Sequence, residues 1–271
     1  MLAFIEEMKG DPHFIDKASF AVRENLHPKF WFTENMLNPK VKEKLIEITD
    51  DFVEGLDLDI EVEDITFTGS LSNYTWSKYS DIDLHIIVDF SKLDKDDEFL
   101  LDYFNAKKSV WNRRHNIMIY GFEVEIYVQN LNEPHHSTGV YSVLRGKWLE
   151  KPEKENVKVD WYNVKDKAIS LMDQIDRIPE LLSDEKYKEA YEYSMMLRDK
   201  IKKFRQTGLE TVGAFSSENI AFKALRRNGY LEILSSTRDM AYDKLMSISG
   251  NGVKIKVSEM VENWKEYLKE E

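Results

Sequence analysis

Apolar positions recur along this chain at two spacings, and the alternation between them predicts its elements. The first 55 residues read mainly as helix with one interruption. Over residues 14–25, Phe14, Ala18, Ala21 and Val22 share one helical face. The segment Leu26–Asn38 holds Pro28 and the aromatics Phe30, Trp31 and Phe32, and reads as a loop. Residues 39–55 carry Val41, Leu45, Ile46, Ile48, Phe52 and Val53 at amphipathic spacing. Asn38 is the expected cap, with Pro39 in the first turn.

The spacing then shortens. Ile60, Val62, Ile65 and Phe67 form two alternating pairs, which predicts a strand over 59–68. Gly69-Ser70 breaks it, and a short helix is expected over 71–79. Residues 82–88 read as a strand and 95–113 as a charged helix. Residues 117–129 read as a hairpin, 117–120 with 123–129, turning at Gly121-Phe122. Val140–Leu144 suggests a further strand. From Lys151 to Asp160 the chain turns polar and contains Pro152, which places a domain boundary there. Beyond it, 164–182, 185–206, 217–234 and 256–270 show helical spacing. Ser249-Gly250-Asn251-Gly252 reads as a turn before a brief strand at Val253, Ile255 and Val257. The expected fold class is α+β: a mixed β-sheet flanked by helices over 1–155, then an all-helical domain over 156–271.

Composition narrows the function classes. The 271 residues are 42% hydrophobic, enough for a sizeable core, and no apolar run approaches the roughly 18 residues of a membrane span. Met1–Glu7 turns acidic at once, without the basic flank of a signal peptide. There is no cysteine, hence no disulfide and no thiolate metal site. A cytoplasmic protein with no membrane partner is expected. The net charge of −12 argues against a long nucleic-acid groove. It leaves room for a local basic patch, or for an acidic pocket that holds divalent metal.

The chemistry concentrates in residues 67–85. A strand ending in Gly69-Ser70 offers backbone N–H groups and a hydroxyl to an anion, and glycine lets backbone approach phosphate closely. Ten residues later Asp81 and Asp83 open a strand, and alternation points both to one face. Two adjacent carboxylates repel unless a cation joins them, and Mg²⁺ takes oxygen ligands alongside phosphate.

Gly-Ser, a ten-residue spacer, then Asp-x-Asp preceded by Ser80 resembles the signature of the polymerase-β-like nucleotidyltransferases, the poly(A)-polymerase and oligonucleotide-synthase kind. The resemblance covers about residues 58–130. It implies a nucleotidyltransferase core, a helical domain after it, and a third carboxylate on a neighbouring strand. Val124-Glu125-Ile126-Tyr127 offers Glu125 for that place, with Glu123 on the same face as the alternative; the family usually has Asp. It further implies two-metal transfer with Mg²⁺ or Mn²⁺: Asp81, Asp83 and Glu125 hold the ions, a hydroxyl attacks the α-phosphate of an NTP, and pyrophosphate leaves. Gly69 and Ser70 would grip the β- and γ-phosphates. Lys223 is the candidate lysine for the triphosphate, against a solvated helix face as the plainer alternative.

Other residues carry weaker readings. The basic stretch Arg198, Lys200, Lys202, Lys203, Arg205 could touch the phosphates of a nucleotide or nucleic-acid acceptor. His85 points with Asp81 and Asp83, either as a contact to a metal-bound phosphate or, more simply, as a packing or supporting residue. His135 and His136 form no metal spacing. Tyr74 and Trp76 either stack on a base or pack their turn. The acceptor stays open among a small molecule, a second nucleotide, an RNA end and a protein. Asp-x-Asp also serves glycosyltransferases, but helices precede it here instead of a nucleotide-binding βαβ unit. A catalytically silent binding or antitoxin-like protein of the same fold is the alternative to an enzyme.

Overall fold

The computed structural model describes residues 15–135, 137–154 and 158–248. These form two compact units, 15–158 and 159–248. The first is built on a mixed six-stranded sheet and the second is helical, so the fold class is α+β.

In the first unit a small hairpin, β1 (Trp31–Thr33) and β2 (Met36–Leu37), precedes helix α1 (Pro39–Glu54). The Asn38 side chain accepts from the Lys40 N–H and Pro39 occupies the first turn, as the sequence predicts. The large sheet comprises β3 (Val62–Thr68), β4 (Ile82–Val88), β5 (Met118–Ile119), β6 (Phe122–Asn130), β7 (Val140–Ser142) and β8 (Lys147–Glu150), in the order β5-β6-β4-β3-β7-β8. Strand β4 runs antiparallel to β3 and parallel to β6. Parallel strands need a long crossover, and helix α2 (Asp97–Arg114) lies within it.

One face of the sheet is apolar. Ile65, Phe67, Ile82, Leu84, Ile86 and Ile126 form a single core with Val41, Leu45 and Phe52 of α1 and with Leu100 and Phe104 of α2. Each such side chain contributes about 1.5–3 kcal/mol by leaving water. Trp31 joins this core, stacked on Phe67 at 5.9 Å and on Trp148 of β8 at 4.5 Å. Past the short β5 the outer edge of β6 has lost its strand partner. The Asn112 amide closes it, accepting from the Ile126 N–H at 3.1 Å and donating to the Ile126 carbonyl at 3.2 Å. The other face carries Asp83, His85, Glu125, Tyr127 and Gln129.

Four sequence expectations change in the first unit. Residues 15–25 hold only a 3-10 turn, Lys17–Phe20, because Arg23 is drawn to the 74–76 turn. Its N–H donates to the Tyr74 carbonyl at 2.7 Å and its Nε to the Trp76 carbonyl at 3.1 Å. The segment 71–79 is not a helix either: a 3-10 turn at Ser70–Ser72 is followed by turns. Polar side chains there satisfy the backbone locally, with Ser80 Oγ accepting from the Ser77 N–H at 2.9 Å and Asn73 Oδ1 from the Tyr74 N–H at 2.6 Å. The hairpin turns at Tyr120-Gly121, one residue earlier than predicted. Both residues have positive φ, 53° and 91°, as a two-residue primed turn requires. Strands β1, β2 and β8 fall where no strand was expected.

In the second unit, helix α3 (Trp161–Ser183) is capped by Asp160, whose carboxylate accepts from the Asn163 N–H at 3.1 Å. Helices α4 (Tyr187–Thr211), α5 (Ser217–Arg227) and α6 (Tyr230–Met246) follow. The single helix expected over 217–234 is two, because Gly229 adopts the left-handed conformation at φ 77°. Leu171, Ile175, Leu197, Ile201, Leu225 and Ile233 are among its buried residues. The helix expected over 256–270 and the strand at 253–257 lie outside the described residues. Among the described residues no helix is long and apolar enough to cross a membrane.

Candidate active site

The chain returns to one end of the sheet three times, and each pass leaves a polar group there. The first is the end of β3. Gly69 sits at φ 78°, ψ −162°, a conformation essentially restricted to glycine. A Cβ on Gly69 would overlap Asp83 Oδ2 and come within 2.9 Å of Asp83 Cγ. The missing side chain is therefore what admits the Asp83 carboxylate against the backbone of the turn. Ser70 Oγ bonds Ser80 Oγ at 2.7 Å, tying the Gly-Ser turn to the residue before Asp81. Ser72, buried, donates to the carbonyls of Gly69 at 3.0 Å and Gly139 at 2.9 Å. No regular helix follows Gly69-Ser70, so an anion there would rely on local N–H and hydroxyl donors without a helix dipole.

The second pass is β4, which begins at Ile82, with Asp81 just ahead of it. The third is β6. Its parallel register sets Glu125 abreast of Asp83 and Tyr127 abreast of His85. Adjacent strands lie about 4.8 Å apart, so carboxylates on the same face of such a pair are within rotamer reach of one another. Glu123 also lies on β6 but is exposed, opposite Met118 in the hairpin. Glu125 is thus the acidic residue in register with Asp83.

Around these carboxylates stand groups without a sequence motif of their own. Tyr127 donates its hydroxyl to Glu125 at 2.6 Å. Burial, the Glu125 bond and the charges of Glu125, Asp83 and Asp81 together push the Tyr127 phenol above its ordinary range. All three carboxylates therefore act on one hydroxyl. His85 stacks on Tyr127 with centroids 5.0 Å apart, and its Nδ1 lies 2.9 Å from Gln129 Oε1. Burial lowers the His85 pKa to about 4, so the ring is neutral near pH 7. Lys108 of α2 places its Nζ 4.4 Å from the Tyr127 ring centroid. Burial lowers its pKa, opposed by the charges of Glu125 and Glu133.

The donor set suits a hard divalent cation: carboxylate oxygens only. Among the described residues no three Asp, Glu or His side chains are grouped closely enough to hold a metal ion as they stand. Glu125 is instead bonded to the Tyr127 hydroxyl.

The structure thus places Gly69, Ser70, Asp81, Asp83 and Glu125 at one end of the sheet in the first unit, without grouping the three carboxylates as a metal site. Lys223 lies half-buried on α5, in the second unit. Tyr74 and Trp76 are packing residues: Tyr74 is buried, with its hydroxyl 3.3 Å from Glu34, and Trp76 donates to the Asn25 carbonyl at 2.9 Å. Sequence reading assigned no role to Tyr127, which the alternation from Glu125 would have placed on the acidic face. Lys108 sits in a charged helix with no local signal. No protein-family model matches the chain, and no curated protein matches it either.

Proposed function

We propose that this protein is a metal-dependent nucleotidyltransferase of the polymerase-β-like type, moving a nucleoside monophosphate from an NTP to a hydroxyl acceptor with release of pyrophosphate. One observation carries the reading: Asp83 is packed against a Gly69 that tolerates no side chain, while standing in register with Glu125. A surface turn and two solvated aspartates would need neither arrangement.

Asp81, Asp83 and Glu125 would hold the metal, and bound Mg²⁺ or Mn²⁺ would polarise the α-phosphate and acidify the acceptor hydroxyl. The chain's own groups have separate tasks. Gly69 admits the Asp83 carboxylate against the turn, and Ser70 offers a hydroxyl once its bond to Ser80 is exchanged. Tyr127 orients Glu125, and Lys108 offsets part of the negative charge. Lys223 remains the candidate for the triphosphate by resemblance.

The second reading, a catalytically silent binding protein, is favoured by one feature: Glu125 already has a partner in Tyr127. The two are separated by incubating the protein with each α-labelled NTP, alone, in pairs and with total RNA, in Mg²⁺ or Mn²⁺, beside Asp83→Asn. Label in a new species, absent with the variant, is the expected result. Transfer retained by well-folded Asp83→Asn rejects the assignment.

A further inference from the structure

The helical unit contains a cavity of about 290 Å³ walled by α4, α5 and α6. That is near the lower end of the roughly 300–1,000 Å³ spanned by small-molecule sites. Its chemistry is divided. Arg198, Lys202 and Arg205 reach it from α4, and Arg238 faces them from α6. Spacings of four and three residues put the α4 cations on one helical face. The floor is apolar, formed by Ile201, Phe222, Leu231 and Leu234.

This concentration of cations runs against a chain whose net charge is −12. Local partners neutralise it only in part. Arg198 pairs with Asp199 at 3.0 Å and Arg238 with Asp239 at 2.6 Å, each with an exposed neighbour in sequence. Exposed pairs of this kind contribute little and yield readily to a doubly charged anion. Arg205 lies over the Phe222 ring, its Cζ 4.4 Å from the centroid, so the boundary between the charged wall and the apolar floor is a planar cation stacked on an aromatic. Burial, then the charge of Arg226, lower the Arg205 pKa, so an anion there relieves a standing repulsion.

We infer that this cavity is a second ligand site that takes a nucleoside phosphate, phosphate against Arg198, Lys202, Arg205 and Arg238 and base or sugar on the Phe222–Leu234 floor. The site goes beyond the proposed transfer chemistry and does not depend on it, since it uses no carboxylate and no metal. A free nucleotide and the phosphorylated end of an RNA present the same chemistry.

The test is calorimetric titration of the full-length protein in EDTA with AMP, GMP, CMP and UMP, with a 5′-phosphorylated tetranucleotide, and with orthophosphate. Asp83→Asn serves as a parallel background. At least one nucleotide ligand is expected to bind wild type and Asp83→Asn equally, more weakly as salt rises. Lys202→Glu, at an exposed position, is expected to weaken it roughly tenfold or more. Arg198→Gln provides a second variant, and thermal melts verify both folds. Tighter binding of a mononucleotide supports a free nucleotide as the source, and tighter binding of the tetranucleotide supports an RNA end. Absence of binding in EDTA, or binding unchanged in both pocket variants, overturns the inference. Orthophosphate binding as tightly as the nucleotides overturns its nucleoside half. None of these outcomes touches the transfer assay, which reads label movement in Mg²⁺ and Asp83.

Discussion

Replacing Gly69 by alanine isolates the contact on which the candidate site is built. The added Cβ overlaps Asp83 Oδ2 and meets Asp83 Cγ at 2.9 Å, whereas Asp83 Cβ lies at an ordinary 3.4 Å. Only the carboxylate therefore has to move. The backbone cost comes on top: φ 78° with ψ −162° is held by non-glycine residues at about 1–3 kcal/mol. With about 1 kcal/mol for the contact, and about 2–4 °C of melting temperature lost per kcal/mol in a domain of this size, a fall of roughly 4–16 °C is expected. Transfer should fall on the order of 100-fold, the scale set by displacing a reacting group by about an ångström.

A double-mutant cycle separates the two costs. Asp83→Ala removes the atoms the new Cβ strikes, so Gly69→Ala should cost less in an Asp83→Ala background than in wild type. The difference should be about 1 kcal/mol, within the range for residues in direct contact. Urea unfolding of the four proteins, followed by circular dichroism, measures it. Strictly additive effects, or a Gly69→Ala protein with wild-type stability and transfer, would refute the close approach of Gly69 and Asp83.

Two further predictions bear on the surrounding groups. Tyr127→Phe removes the hydroxyl bonded to Glu125 while keeping the ring against His85. It should cost about 1 kcal/mol of stability and raise the Mg²⁺ midpoint of transfer about tenfold, the usual penalty for losing a partner that orients a metal ligand; an unchanged midpoint would leave Tyr127 a structural residue only. His85 makes stability depend on pH, because its folded pKa of about 4 lies below the unfolded value near 6.5. Its contribution is constant above pH 6.5 and lost as pH falls toward 4, where the unfolded chain takes up a proton that the folded chain resists, by up to about 3 kcal/mol. His27, lowered by burial and Lys29, adds a loss of the same sign. Stability measured in EDTA from pH 4 to 7.5 should show a shallower slope in His85→Asn, and an identical slope would discount the buried neutral ring.

How much was legible in the sequence depended on whether an element's determinants were local. Helix α1 was readable because its cap, its proline and its apolar face lie within 16 consecutive residues. Strand β4 was readable because its register alternates without interruption. The segment 15–25 has the same helical spacing on paper but spends its polar groups on Trp76 and Tyr74, some fifty residues away. Residues 71–79 failed differently: Asn73, Ser77 and Ser80 compete for their own backbone, which apolar periodicity does not register. Gly229 splits α5 from α6 through a single left-handed residue, where an isolated glycine in a helical pattern is often tolerated.

The candidate site divides along the same line. Gly69, Ser70, Asp81 and Asp83 were legible as a candidate set because one turn and one strand start carry them within fifteen residues. The reason Gly69 must be glycine was not legible, since the side chain that excludes a Cβ belongs to the next strand. Glu125 was reached only as one of two alternatives, and the parallel register of β4 and β6 separates it from Glu123. Lys108 and Tyr127 meet across a helix–sheet junction that no spacing encodes. Lys108 brings a positive charge toward Glu125, and Tyr127 brings it a hydrogen bond. Variants at Lys108 and Tyr127 therefore probe whether the acidic cluster is set up for a cation, independently of the residues that suggested it.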